Sequence, residues 1–185
     1  MTQSQPNDTI ANATGASNEG VQVREVDTAA EYVATLQAGE DWRAEIETVA
    51  EAVGADGAWF TAVGGVRDAE VWFYDQEDLQ YGPTYVDEPM EVASCIGNVA
   101  AVGTDGDPVR YAHTHAVLAR PDGSVVAGHL NRATVFVGEV YMKVFDEGFD
   151  RKRAATPVLD TDAWASATDD RSAFRDEVTG LDLRR

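Results

Sequence analysis

All three histidines of the chain fall within seventeen positions: His113 and His115 in Tyr111-Ala-His-Thr-His-Ala-Val-Leu, then His129 in Val126-Ala-Gly-His-Leu. Imidazole is the commonest protein ligand for zinc and similar divalent metals, and it binds as the neutral base at ordinary pH. Three such ligands on a tetrahedral ion leave one position for water or a substrate atom. The other reading of His113 and His115 is bland: two polar residues on the exposed face of a strand. The backbone decides between them, because only one chain geometry brings the rings to a point.

Val109 to Val117 alternates, which predicts an extended strand with His113 and His115 on one face. The chain continues Arg120-Pro121-Asp122-Gly123-Ser124, a turn sequence in which proline presets the first position and glycine accepts the left-handed third. A three-residue loop of Pro121, Asp122 and Gly123 places His115 directly opposite His129, with His113 on the diagonal. Such neighbours lie ~4.5–5.5 Å and ~7–8 Å apart at Cβ, within reach of imidazoles that bind zinc. A two-residue turn at Asp122-Gly123 would slip the register by one and carry His129 to the other face. Gly128 leaves the backbone beside His129 room for a close approach.

The 185 residues suit one domain with tails. Acidic residues number 33 against 14 basic ones, only Lys143 and Lys152 being lysines, for a net charge of −19. That balance repels nucleic-acid phosphates and membrane surfaces at low ionic strength. Scattered acids, few lysines and 44% hydrophobic content suggest a protein adapted to high salt, that is, halophilic. There the Debye length shrinks to about 3 Å at 1 M salt, and charge says more about solubility than about partners. Cys95 is the only cysteine, so no internal disulfide forms and a cytoplasmic location is expected; its apolar run Val92-Ala-Ser-Cys-Ile predicts an inert buried thiol. No apolar run approaches the ~20 residues of a membrane span, and the first residues lack the pattern of a signal peptide.

Residues 1–20 are polar and read as a disordered tail. Val21 to Val26 alternates as a first strand, and an extended piece follows around Tyr32 to Leu36. Asp41 to Val53 carries Trp42, Ile46, Val49, Ala50 and Val53 at helical spacing, closed by Gly54. Strands are then predicted over Ala58 to Val63, Asp68 to Tyr74, Leu79 to Val86 (an edge strand, given Gly82-Pro83), Met90 to Val102 broken at Gly97-Asn98, the histidine hairpin, and Thr134 to Phe145. The expected class is α+β, a mainly antiparallel sheet of about seven strands with one principal helix. Residues 146–185 form a charged extension with room for one or two short helices; its Arg151-Lys152-Arg153 reads as a solvated patch.

An ordered series of motifs resembles the plants-and-prokaryotes-conserved (PPC) domain over residues 21–145. They are Gly39-Glu40-Asp41, Trp59-Phe-Thr-Ala-Val-Gly-Gly-Val-Arg-Asp-Ala-Glu-Val, Pro89-Met-Glu-Val-Ala-Ser-Cys-Ile-Gly-Asn-Val, His113-Thr-His115, Gly128-His129-Leu130 and Glu139. The resemblance implies a homotrimer and a zinc-like metal held by His113, His115 and His129. Plant members join the domain to an Arg-Gly-Arg-Pro element that enters the DNA minor groove. That element is missing here, so DNA binding carries over only by analogy.

A zinc-bound water with its pKa lowered to about 7 could attack a small metabolite if a base stood near. Glu139 is the first candidate, with solvent exposure or a subunit salt bridge as the alternative. Asn98 is the second, the alternative being a plain turn residue. Three functions remain open: a trimeric metal-binding module for a small ligand or protein partner, a metal-dependent hydrolase or lyase, and a DNA-associated regulator.

Overall fold

The apolar stripe of Trp42, Ile46 and Ala50 forms the one long helix among the described residues of the computed structural model, which are 25–75, 80–102, 109–148, 150–151 and 181–182. This helix, α1 (Trp42–Ala52), starts at Asp41, whose Oδ1 accepts from the Ala44 N–H at 2.9 Å, and stops at Gly54, whose φ is +69°. The strands are β1 (Thr28–Leu36), β2 (Gly57–Asp75), β3 (Gln80–Val86), β4 (Met90–Val102), β5 (Val109–Ala119) and β6 (Val125–Phe145), with two-residue β7 (Asp150–Arg151) and β8 (Leu181–Asp182). The architecture is thus a mostly antiparallel sheet of six substantial strands with one helix.

That count differs from the sequence expectation because three strands are longer than their punctuation suggests. Gly64-Gly65 produces an irregular register with β4 and β6 but does not end β2, which runs on to Asp75. Gly97-Asn98 likewise leaves β4 unbroken, and the second arm of the hairpin continues into the last strand as one 21-residue β6. The first strand begins at Thr28. Of the predicted Val21 to Val26 strand, residues 21–24 lie outside the described residues and 25–26 are not strand. Most of the C-terminal extension, with its expected helices, also lies outside them.

β2 pairs with β4 on one edge and with β6 on the other, β4 pairs with β5, and β5 pairs with β6. These four pairings close a circuit around a core that includes Phe60, Val99, Leu118, Leu130, Val135 and Met142. β1 and β5 share the remaining edge of β6, β1 along residues 138–145 and β5 along 125–129. Between them the loop before α1 bonds to Val135 in both directions, at 2.8 and 2.9 Å.

The first half of β5 therefore parts from β6, and α1 occupies the gap. Glu47 Oε1 accepts from the Ala112 N–H at 3.1 Å, satisfying a strand donor that has no ladder partner on that side. Arg110 donates to the Ala55 carbonyl at 2.7 Å and pairs with Glu51 and Asp56, tying β5 to the end of the helix. No described helix is long and apolar enough to cross a membrane.

Candidate metal centre

The hairpin turn settles the register on which the histidines depend. Gly123 donates to the Arg120 carbonyl at 2.9 Å, Arg120 donates to the Ser124 carbonyl at 2.8 Å, and Gly123 has φ +84°. This is the three-residue loop, and it pairs His115 with His129. Hydrogen bonds from Ser124 hold the Asp122 carboxyl below its ordinary pKa. Along β5 the side chains of Ala112, Thr114, Ala116 and Leu118 are buried, so His113 and His115 project outward. Thr114, between them, is fully buried with its hydroxyl on the Ala112 carbonyl at 3.1 Å.

One donor nitrogen from each of His113, His115 and His129 lies within 4.8 Å of the other two. The Nε2 atoms of His113 and His115 are 3.3 Å apart. Two nitrogens on a tetrahedral zinc, each at ~2.0–2.1 Å, are separated by ~3.3–3.4 Å, so this pair already has the required spacing. The ring centroids are 5.0, 5.2 and 5.5 Å from one another. His129 is buried at 8% exposure, His113 is half-buried and His115 is the most open. Desolvation lowers the His115 pKa, favouring the neutral imidazole that a metal requires. Geometry and donor chemistry together fit a divalent ion with one position left over.

Two backbone approaches make the convergence possible. A Cβ at Gly128 would meet the Trp72 carbonyl oxygen at 2.8 Å and Val71 Cγ1 at 2.9 Å, and its φ of +156° suits glycine. A Cβ at Gly97 would meet the His113 carbonyl oxygen at 2.1 Å and the Phe60 ring at 2.4 Å. Glycine at these positions lets β2 press against β6 beside His129, and β4 against β5 behind His113.

The two outer candidates part company. Asn98 is buried at 8% exposure and sits opposite His113 on β4. Glu139 does not join the site within one chain. It lies ten residues beyond His129 on the same unbroken strand, a path of ~33 Å at the usual rise, and is exposed opposite Thr35 of β1 and Val63 of β2. Cys95 is buried, as expected; burial pushes its thiol up to about 11, with the Trp42 indole beside it acting the other way.

Sequence reasoning passed over the aromatic flank. Trp72 pairs with His129 across β2 and β6, and the rings of Trp72 and Tyr81 lie 6.2 and 5.8 Å from the His129 ring. Tyr81 also meets Trp72 at 5.5 Å and Tyr74 at 5.0 Å. The available signal was the alternation Glu70, Trp72, Tyr74 on one face, followed by Tyr81 seven residues further on. Glu70 Oε1 accepts from the Trp72 indole at 2.5 Å and from Asn131 Nδ2 at 3.1 Å, which fixes the indole plane.

Residues 23–146 match the Plants and Prokaryotes Conserved domain. Among solved structures, a metal-containing protein from Archaeoglobus fulgidus is 32% identical, with a TM-score of 0.66 over 75% of this chain and 96% of that one. A plant- and prokaryote-conserved protein from Pyrococcus horikoshii is 24% identical, with a TM-score of 0.65 over 73% and 92%. A Bacteroides thetaiotaomicron protein whose name carries a provisional DNA-binding assignment is 20% identical, with a TM-score of 0.59 over 73% and 92%. No curated protein matches the chain.

Proposed function

The chain belongs to the Plants and Prokaryotes Conserved domain family, and we propose that it is a metal-binding module of that family, with His113, His115 and His129 holding one zinc-like ion. The convergence of three imidazole nitrogens within 4.8 Å carries the reading. The Archaeoglobus relative, described as metal-containing, supports it. When bound, such an ion supplies a Lewis-acid position open to water or to a ligand oxygen. His129, deeply set, anchors the site, His115 stands at its open side, and Asn98 is placed to orient the His113 ring.

Self-association is the second part of the proposal. Val33, Val63, Val137 and Tyr141 lie on the outward face of β1, β2 and β6, with exposures of 79, 53, 54 and 38%. Cross-strand pairing puts Val33 beside Tyr141 and Val63 beside Glu139, forming a mainly apolar surface that also holds Glu139 and the Glu31 carboxylate on the Tyr141 hydroxyl. A second and third copy of the chain would cover it in a homotrimer, as the family resemblance implies. We adopt neither alternative. The hydrolase reading relies on Glu139, which stands far along β6, and a net charge of −19 opposes contact with DNA phosphates.

Metal analysis of the purified protein beside His129→Ala tests the assignment. One ion per chain in the parent and background metal in the variant is the expected result. Equal metal in both preparations would show that these histidines are not the ligands.

A further inference from the structure

The aromatic flank bears on what binds at the metal. Trp72, Tyr74 and Tyr81 stand on the same outward face as the three imidazoles, each half-buried rather than buried. A single ring would suffice to cover His129. Instead three rings, linked at 5.5 and 5.0 Å, run outward from it along the paired strands β2 and β3. On the opposite flank Ile96 pairs with His115 and is 46% exposed, and Val117 is 38% exposed. The metal position is thus bordered by apolar surface on both sides, and the Trp72 ring is held in place by its bond to Glu70.

We infer that the molecule taken up at the metal is a small aromatic acid or its equivalent, an oxygen donor bound to the ion and a flat ring packed against Trp72 and Tyr81. The inference rests on the metal assignment above and adds the ligand class to it. Aromatic rings held edge-to-face or offset contribute beyond their buried area, and tyrosine and tryptophan do so with little loss of side-chain freedom. An aliphatic tail of similar size would have the apolar contact but not the ring geometry. Trp72 and Tyr81 are specificity residues here, with no part in holding the ion.

Cobalt-loaded full-length protein, titrated with acetohydroxamate, cyclohexanecarbohydroxamate and benzohydroxamate and followed by its visible spectrum, tests this. Benzohydroxamate should bind about tenfold more tightly than either of the others. In Trp72→Leu and in Tyr81→Leu, which keep apolar bulk, that preference should fall to about twofold or less. The preference is read as a ratio of affinities within each variant, so any change at the ion's own position cancels from it. Equal affinities in the parent, or an undiminished preference in both variants, would overturn the inference while leaving the metal assignment standing. Failure of the parent to take up cobalt would remove both together.

Discussion

The outward face of the sheet carries two patches that share β6 and differ in every other respect. Toward its start, His129 meets His113 and His115 of β5 in a cluster of polar donors. Toward its end, Val137, Glu139 and Tyr141 meet Val33 of β1 and Val63 of β2 on open apolar surface. The first patch announces itself by residue type, because three imidazoles in a chain otherwise without histidine can hardly escape notice. The second is composed of residues that look like core in the sequence. Only the pairing of strands shows that they point away from it. The lesson is that a cluster of scarce side chains can be found before the fold, whereas an exposed apolar patch needs the register first.

If the two patches are independent, perturbing one should spare the other. His115→Ala should lower zinc affinity by at least about 100-fold in a competition titration with a chromophoric chelator, while light scattering reports an unchanged particle mass. Acid should act on the same patch less severely. Each imidazole must be neutral to bind, so zinc affinity should fall as pH drops from 7.5 to 5.5. The depressed pKa of His115 works in the same direction as the metal. A group whose folded pKa is lowered is neutral above its ordinary value near ~6.5, and the stability it contributes there is lost as pH falls through the folded value.

The apolar patch has its own test. Val63→Glu combined with Tyr141→Glu should convert the proposed trimer to monomers at micromolar chain concentration in light scattering, with one metal per chain retained. Loss of metal in this double variant would show that the patches are coupled. Smaller still is the effect of Gly128→Ala, where a Cβ meets the Trp72 carbonyl oxygen; ~1–3 kcal/mol of strain should lower the melting temperature by several degrees and weaken metal uptake. Glu139→Gln should leave metal content unchanged, and a measurable loss would place that carboxylate at the site of a neighbouring copy.

Much of the metal patch was legible because it is local. The turn residues Pro121, Asp122 and Gly123 set the pairing of His115 with His129, and the alternation of β5 decides which way the rings point. The helix was equally readable, from Asp41 as its cap to Gly54 as its terminus. Strand continuity was not, since glycine pairs read as punctuation. Gly64-Gly65 accommodates an irregularity within β2, and Gly97 makes space for Phe60 and the His113 backbone. Glu139 was misplaced for a related reason: with β6 taken as two strands it could fold back beside the hairpin, and as one strand it cannot. Trp72 and Tyr81 stayed hidden because their relation to His129 depends on how β2 pairs with β3 and β6.

The ladder that joins Thr28 to Phe145 has a consequence for biosynthesis. The strand that comes first in the chain cannot pair early, for its one neighbour in the sheet among the described residues is translated more than a hundred codons later. A nascent polypeptide must therefore hold an edge open through almost the whole of translation, and ladders this distant in sequence close slowly. Ribosome-bound chains truncated before residue 138 should remain protease-sensitive, and the domain should become resistant only when the end of β6 has left the exit tunnel.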